Sequence, residues 1–401
     1  MVTLQTSPQT SSVTPTEAQL QQTRQRIDAY IQTLASHPDR RDGAFPYYLF
    51  HDAGTPTQGT VLMFHGFSAK PHQMARLADY LFRNGFNVYQ ATLAGHAYGI
   101  PQQYWPQVDL KPEILAPLRE KVNADPVLQS FLANLAAAGG VGAVSPSPVQ
   151  MVGMVARLRQ LEPRLLDIAA AIERENDPEF DRYFVSSHLS YLSDAQARLS
   201  ELEAMPGPIY TVGLSVGGAV ALALGARYPQ RVAGVVAFAP LLEVYGETRE
   251  RYVNLAGPLG IQEFGWDELR FPLSCFTAAN QFGAFVRRQD NLAALRPTPT
   301  LMVLTENEDA ADVRINQKFS QSLSRASIFK RYDNHYLYTF PSAALVPHPM
   351  VDPLEISQNM SNGYWKPMYQ ETLRFLTRTQ FQASSLEQTG DVPDLPAVPP
   401  V

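Results

Sequence analysis

The stretch Ile209-Tyr210-Thr211-Val212-Gly213-Leu214-Ser215-Val216-Gly217-Gly218 constrains this chain more than any other. A β-prone run leads straight into Gly-x-Ser-x-Gly, and an Ala/Leu-rich helical pattern follows from Ala219 to Tyr228. Strand, sharp turn and helix put a serine at an apex. Gly213 and Gly217 supply the residue type needed where strand and helix come too close for a side chain. The turn strains the backbone at Ser215 and lifts its hydroxyl out of the sheet. The bare pattern also arises by chance, and a serine in an ordinary Gly-rich turn is the plain alternative. The strand before it and the helix after it argue against that alternative.

The rest of the chain reads as strands alternating with helices. Tyr47 to His51 can be a strand, and Thr60 to Phe64 is a short buried-strand run ending in His65-Gly66-Phe67. Met74, Leu77, Ala78, Leu81 and Phe82 share a helical face, Asn84-Gly85 closes that helix, and Phe86 to Thr92 is the next strand. Val232 to Phe238 and Thr300 to Leu304 are further buried strands. Trp365, Met368, Tyr369, Phe375 and Leu376 define a last amphipathic helix. This order predicts an α/β fold: a mostly parallel sheet flanked by helices. Upstream, Thr14-Pro15-Thr16-Glu17 offers a capping box that would start a helix at Thr14.

Between Pro101 and Ser187 the rhythm breaks, with no clear strand. Lys111–Lys121, Pro126–Ala138, Val149–Arg174 and Pro178–Phe184 look like helices interrupted by Pro and Gly. We read residues of about 104–187 as an inserted helical cap within one domain spanning 14–381. Its Ile114, Leu115, Leu118, Val127, Leu128, Phe131 and Leu135 are too apolar for an exposed excursion, and the expectation is that they roof Ser215 and line an acyl pocket. The alternative is that the insert packs on the core or on a partner subunit. Residues 1–13 and the Pro-rich 382–401 read as mobile tails.

Charge is mild, with 32 basic against 38 acidic residues and a net charge of -6. No basic patch stands out, so nucleic acid is not an expected partner. Cys275 is the single cysteine, which rules out an intrachain disulfide and suits a reducing compartment. The N-terminus lacks the apolar core of a secretory signal, and no run of apolar residues is long enough for a membrane span. The expectation is a cytoplasmic protein with neither metal nor cofactor.

A serine hydroxyl needs a base, and the base needs an orienting carboxylate. In an elbow of this type the chain order is Ser, then acid, then His. That order discards His37, His51, His65, His72, His96 and His188, which all precede Ser215. His335 and His348 remain. Tyr336 to Phe340 makes the more convincing final strand, which puts His335 at its start and His348 in the loop beyond its end. That favours His348, with His335 as the alternative base. The acid should follow strand Thr300–Leu304, where Glu306, Glu308, Asp309 and Asp312 crowd together. Asp312 is also a natural helix N-cap. The oxyanion donors expected are the backbone N–H groups of Val216 and Phe67. His65 reads as the residue that holds that loop by hydrogen bonds.

With these residues in place the chain resembles the α/β-hydrolase superfamily, and within it the bacterial carboxylesterase and monoacylglycerol-lipase group. The motifs are VLMFHGFSAKPHQM, LAGH, GLSVGG and PTPTLMVLTENEDAAD, which together span about 250 residues. Ala97 stands where the family has a second glycine in Gly-His-Gly, and the insert is not at the usual cap position. The resemblance implies the α/β-hydrolase fold and places Asp309 at the catalytic acid. It also puts the catalytic histidine shortly before the last helix, as His348 is. The activity implied is hydrolysis of a small-molecule or lipid-like carboxylic ester through an acyl-serine. An amidase or peptidase using the same three groups, or a non-catalytic binding protein on the same fold, are the alternative readings.

Overall fold

The computed structural model describes residues 12–130, 147–172, 178–260, 263–266, 269–325 and 332–378. Seven strands form one sheet: β1 (Tyr47–Leu49), β2 (Thr60–Phe64), β3 (Asn87–Ala91), β6 (Ile209–Leu214), β7 (Val232–Phe238), β10 (Thr300–Thr305) and β11 (His335–Phe340). Their order across the sheet is β1-β3-β2-β6-β7-β10-β11. Strand β1 runs antiparallel to β3, and the remaining neighbours are parallel.

Parallel strands covered on both faces must be largely apolar on both faces, and β2, β6, β7 and β10 are. Along β2, Leu62 and Phe64 enter one core, with the helices Val216–Arg227, Ser190–Glu201 and Leu273–Val286. Val61 and Met63 enter the other, with the helices Ala75–Arg83 and Trp365–Thr377. The period of two thus divides one strand between two cores. Helix Val216–Arg227 lies beneath the sheet centre and buries every residue but its last.

The N-terminal helix spans Glu17–Ala35 and starts two residues later than the sequence suggests, because the capping box uses Thr16 and Gln19. Leu20 and Ile27 seat it on the core. Val13 belongs to the body, where it bridges to Thr57. Residues 1–11 and 382–401 of the expected tails lie outside the described residues.

The excursion between β3 and β6 contains strands that the sequence does not reveal. β4 (Val108–Leu110) pairs antiparallel with β5 (Phe184–Ser186), which joins its entry to its exit. Three-residue strands are too short for a periodic signal. Helices cover Pro112–Asn123, Pro148–Leu161, Leu165–Ala171 and Pro178–Tyr183. The expected Pro126–Ala138 helix is present at 126–130, and the rest of it is outside the described residues, as are Phe131 and Leu135. Ile114, Leu118 and Leu128 form a separate core with Met154, Leu158, Ile168, Phe180 and Phe184. Leu115 packs against that core, which meets the body at Leu259 and Ala278, while Val127 stays exposed. Apart from Val127, these side chains therefore build the insert's own interior. A second small ladder pairs β8 (Glu263–Trp266) antiparallel with β9 (Leu269–Pro272). Among the described residues no helix is long and apolar enough to cross a membrane.

Candidate active site

Ser215 occupies the apex between β6 and the helix beginning at Val216, with φ 57° and ψ -121°. A non-glycine residue in such a region costs on the order of 1–3 kcal/mol and persists only where its surroundings impose it. They do here. Ser215 N–H donates to the Phe238 carbonyl at 2.9 Å, and the Ser215 carbonyl accepts from Leu241 N–H at 2.9 Å and Ala219 N–H at 3.1 Å. The flanking glycines are required by contact. A Cβ on Gly213 would lie 2.0 Å from the Gly217 carbonyl oxygen, and one on Gly217 would lie 2.2 Å from that of Phe64.

The loop after β2 comes up beside the serine. A Cβ at Gly66 would be 3.7 Å from Ser215 Cβ. His65 holds this loop from below: its Nδ1 is 2.7 Å from the Gly66 carbonyl oxygen, and its Nε2 accepts from Leu93 N–H at 3.2 Å. One ring nitrogen donates and the other accepts, so the ring is neutral. Full burial agrees, pushing its pKa down to about 3. Arg41 grips the far side of the loop through the carbonyls of Ser68, at 2.8 Å, and Ala69, at 3.1 Å. Among the described residues no acceptor takes the Phe67 N–H, and the Val216 N–H opens a helix, where the first turn has no internal acceptor. Ala97 is not among the residues with positive φ, so that turn does not need a second glycine, whereas Gly95 has φ 75°.

The loops after β10 and β11 run side by side. Thr305 Oγ1 donates to the Val346 carbonyl at 2.6 Å, and Asn307 bridges Pro347 in parallel. One residue further along each, Glu308 faces His348: His348 Nδ1 lies 2.7 Å from Glu308 Oε2. Both residues are nearly sealed from solvent, with side-chain exposures of 11% for His348 and 0% for Glu308. The carboxylate also accepts from Ala311 N–H at 3.2 Å. Burial alone would lower the His348 pKa. The bonded Glu308 carboxylate, with Asp309 and Glu355 nearby, outweighs that and holds it above the ordinary imidazole value.

The expectation that Asp309 is the histidine's partner is thereby corrected to Glu308. The reason is register. The Asn307–Pro347 bridge aims residue 308 at the imidazole, and Asp309 points elsewhere. Its carboxylate accepts from Ser357 Oγ at 3.4 Å, and its carbonyl accepts from Arg249. Asp312 caps the helix Val313–Ser324, accepting from Arg314 N–H at 2.9 Å and Ile315 N–H at 3.2 Å. His335 is far from this arrangement. It opens β11 opposite Thr300, the first residue of β10, and its Nε2 is 3.1 Å from the Arg296 carbonyl oxygen. Burial lowers its pKa to about 4. It lies at the opposite edge of the sheet from Ser215, Phe67, Glu308 and His348, which all follow strand C-terminal ends.

Aromatic side chains gather over the loop after β2. The Phe67 ring meets those of Phe271 at 5.1 Å, Trp105 at 5.3 Å and Phe276 at 5.3 Å, each edge to face. His96 stacks on Trp105 at 3.7 Å and is buried, which holds its pKa well below the ordinary value.

Solved structures of similar shape include the metagenome-derived lipolytic enzymes LipS and LipT, at 15% identity over 84% of this chain and 98% of that one, with a TM-score of 0.46. A monoglyceride lipase from Saccharomyces cerevisiae in complex with a substrate analogue is 14% identical over 86% and 98%, with a TM-score of 0.46. A monoacylglycerol lipase from Paleococcus ferrophilus is 13% identical over 83% and 98%, with a TM-score of 0.45. No curated protein sequence matches. The sequence model of the alpha/beta hydrolase fold matches residues 59–342, from just before β2 to just beyond β11, and the chain therefore belongs to that family.

Proposed function

We propose that the protein is a serine hydrolase that cleaves carboxylic esters through an acyl-serine intermediate. The observation that carries this reading is the buried 2.7 Å pair of His348 and Glu308, set at the same sheet edge as the strained Ser215. Ser215 Oγ attacks the ester carbonyl carbon as His348 Nε2 takes its proton. Glu308 holds the Nδ1 proton and balances the imidazolium that forms. The N–H groups of Phe67 and Val216 receive the oxyanion, where each such donor is worth about 3–4 kcal/mol. Collapse expels the alcohol, which leaves with the proton from His348. Water then enters by the same route, and the acid departs. No step calls for a metal or a cofactor.

The test is covalent labelling with a fluorophosphonate, followed by turnover of p-nitrophenyl esters against the matching anilides. The expected result is one labelled site, lost in Ser215→Ala, with ester turnover well above anilide turnover. Labelling or turnover that survives in Ser215→Ala would remove the reading. Faster anilide turnover would turn it into an amidase.

A further inference from the structure

The segment that follows His348 returns to the oxyanion loop. Arg76 Nε pairs with Asp352 Oδ1 at 3.0 Å, tying the segment to the helix that follows that loop. Three residues further on, Glu355 accepts from Gln73 Nε2 through both carboxylate oxygens, at 3.1 and 3.0 Å. The other end of the same amide, Gln73 Oε1, accepts from Gly66 N–H at 2.9 Å. The amide orientation is fixed by chemistry: only oxygen can accept from Gly66 N–H, and only nitrogen can donate to a carboxylate. Gly66 immediately precedes Phe67. A Cβ at Gly66 would meet Gln73 Oε1 at 3.2 Å and Ser215 Cβ at 3.7 Å, so the amide and the serine both pack against Gly66.

We propose that Gln73 and Glu355 are positioning residues: a hydrogen-bonded relay from the segment after His348 that fixes the Gly66–Phe67 peptide as an oxyanion donor. The inference rests on the serine-hydrolase reading above. Arg41 holds the loop only beyond Phe67, through two carbonyls, and His65 holds the Gly66 carbonyl. The Gly66 N–H has Gln73 as its partner, and Gln73 takes its orientation from Glu355. Burial raises the Glu355 pKa, as does Asp352, against the opposing pull of Gln73 and His348. The relay links the two halves of the site, so that base and oxyanion donor shift together.

The experiment compares Gln73→Met, Glu355→Met, Glu355→Gln and the double Met variant in steady-state hydrolysis of p-nitrophenyl butyrate across pH. A misplacement near 1 Å at a reacting centre costs about 10²-fold, so roughly a 10- to 100-fold fall in kcat is expected for Gln73→Met, with KM and pH midpoint little changed. Glu355→Met should lose a similar amount. Glu355→Gln keeps an acceptor for Gln73 and should restore most of kcat, while its pH midpoint falls because a negative charge near His348 is gone. The double variant should be no worse than the poorer single one. Unchanged kcat in Gln73→Met, additive losses in the double variant, or equal losses in Glu355→Gln and Glu355→Met would overturn the relay. If Gln73→Met does not fold, the two Glu355 variants decide alone. Fluorophosphonate labelling separates the two levels: a labelled Ser215 beside an indifferent Gln73→Met sinks the relay only, and an unlabelled wild type sinks the reading beneath it.

Discussion

Glu308 and Asp309 are adjacent carboxylates with different surroundings, and only one of them bonds the imidazole. Glu308→Gln should therefore cost orders of magnitude in kcat, since the amide cannot hold the histidine in the required tautomer or balance its charge. Asp309→Asn should retain turnover within about tenfold, because its charge reaches His348 only through space. Steady-state kinetics on the two variants checks this, and the reverse ranking would restore Asp309. The pH profile follows from the same pair. The base works when neutral, so activity should rise with pH, and the raised His348 pKa puts the midpoint above the usual value of about 6.5. Removing the Glu308 charge takes away the largest of the influences that raise this pKa, so any residual activity in Glu308→Gln should have a lower midpoint. Stability runs the other way. A histidine whose folded pKa is raised stabilises the fold fully below its unfolded value, and that contribution is lost as pH climbs through the folded one. Thermal melts across this window should fall for the wild type more than for His348→Ala.

At the scale of elements, the elbow and the caps carry the local logic. Gly217→Ala would push a Cβ to 2.2 Å from a backbone carbonyl, against which nothing flexible can move. It should abolish labelling of Ser215 and destabilise the protein by several kcal/mol, on the order of the largest single-site effects. A folded, fully labelled Gly217→Ala protein would mean that strand and helix can part there. Asp312→Ala should cost about 1 kcal/mol through the lost helix cap, seen in denaturant unfolding, and leave kcat within a few-fold. The legibility of these elements in the sequence tracks their physics. β2, β6, β7 and β10 are apolar on both faces and bounded by turns, so their runs read directly. His335 opens β11 because Tyr336 to Phe340 is aromatic and uncharged, and that settles which edge it occupies. The pairing of Glu308 with His348 is not readable locally. It depends on two loops aligned through Asn307 and Pro347, which are 40 residues apart in the chain. Gln73 and Glu355 carry no motif at all, and their relay is purely a product of tertiary contact.

For the whole molecule, the arrangement of cores decides what the insert can do. The sheet has a core on each face, and the excursion between β3 and β6 has a third, which meets the body at Leu259 and Ala278. A unit with its own interior and a two-strand neck can open without the sheet unfolding. Hydrogen exchange should therefore show the helices Pro112–Asn123 and Pro148–Leu161 exchanging earlier, and as a group, than β6 or β10. Leu118 is buried inside that third core, so Leu118→Ala should cost about 2–5 kcal/mol of local stability. The cost should fall on the insert, with amide protection in β6 kept. If the insert also roofs Ser215, loosening it should alter hydrolysis of long-chain esters more than that of acetyl esters, because a short acyl group needs little beyond the oxyanion loop and its aromatic neighbours. A panel of p-nitrophenyl esters from acetyl to palmitoyl on wild type and Leu118→Ala measures that ratio. An equal change at every chain length would leave the insert as a packed appendage of the fold, with acyl selection left to Phe67, Trp105, Phe271 and Phe276.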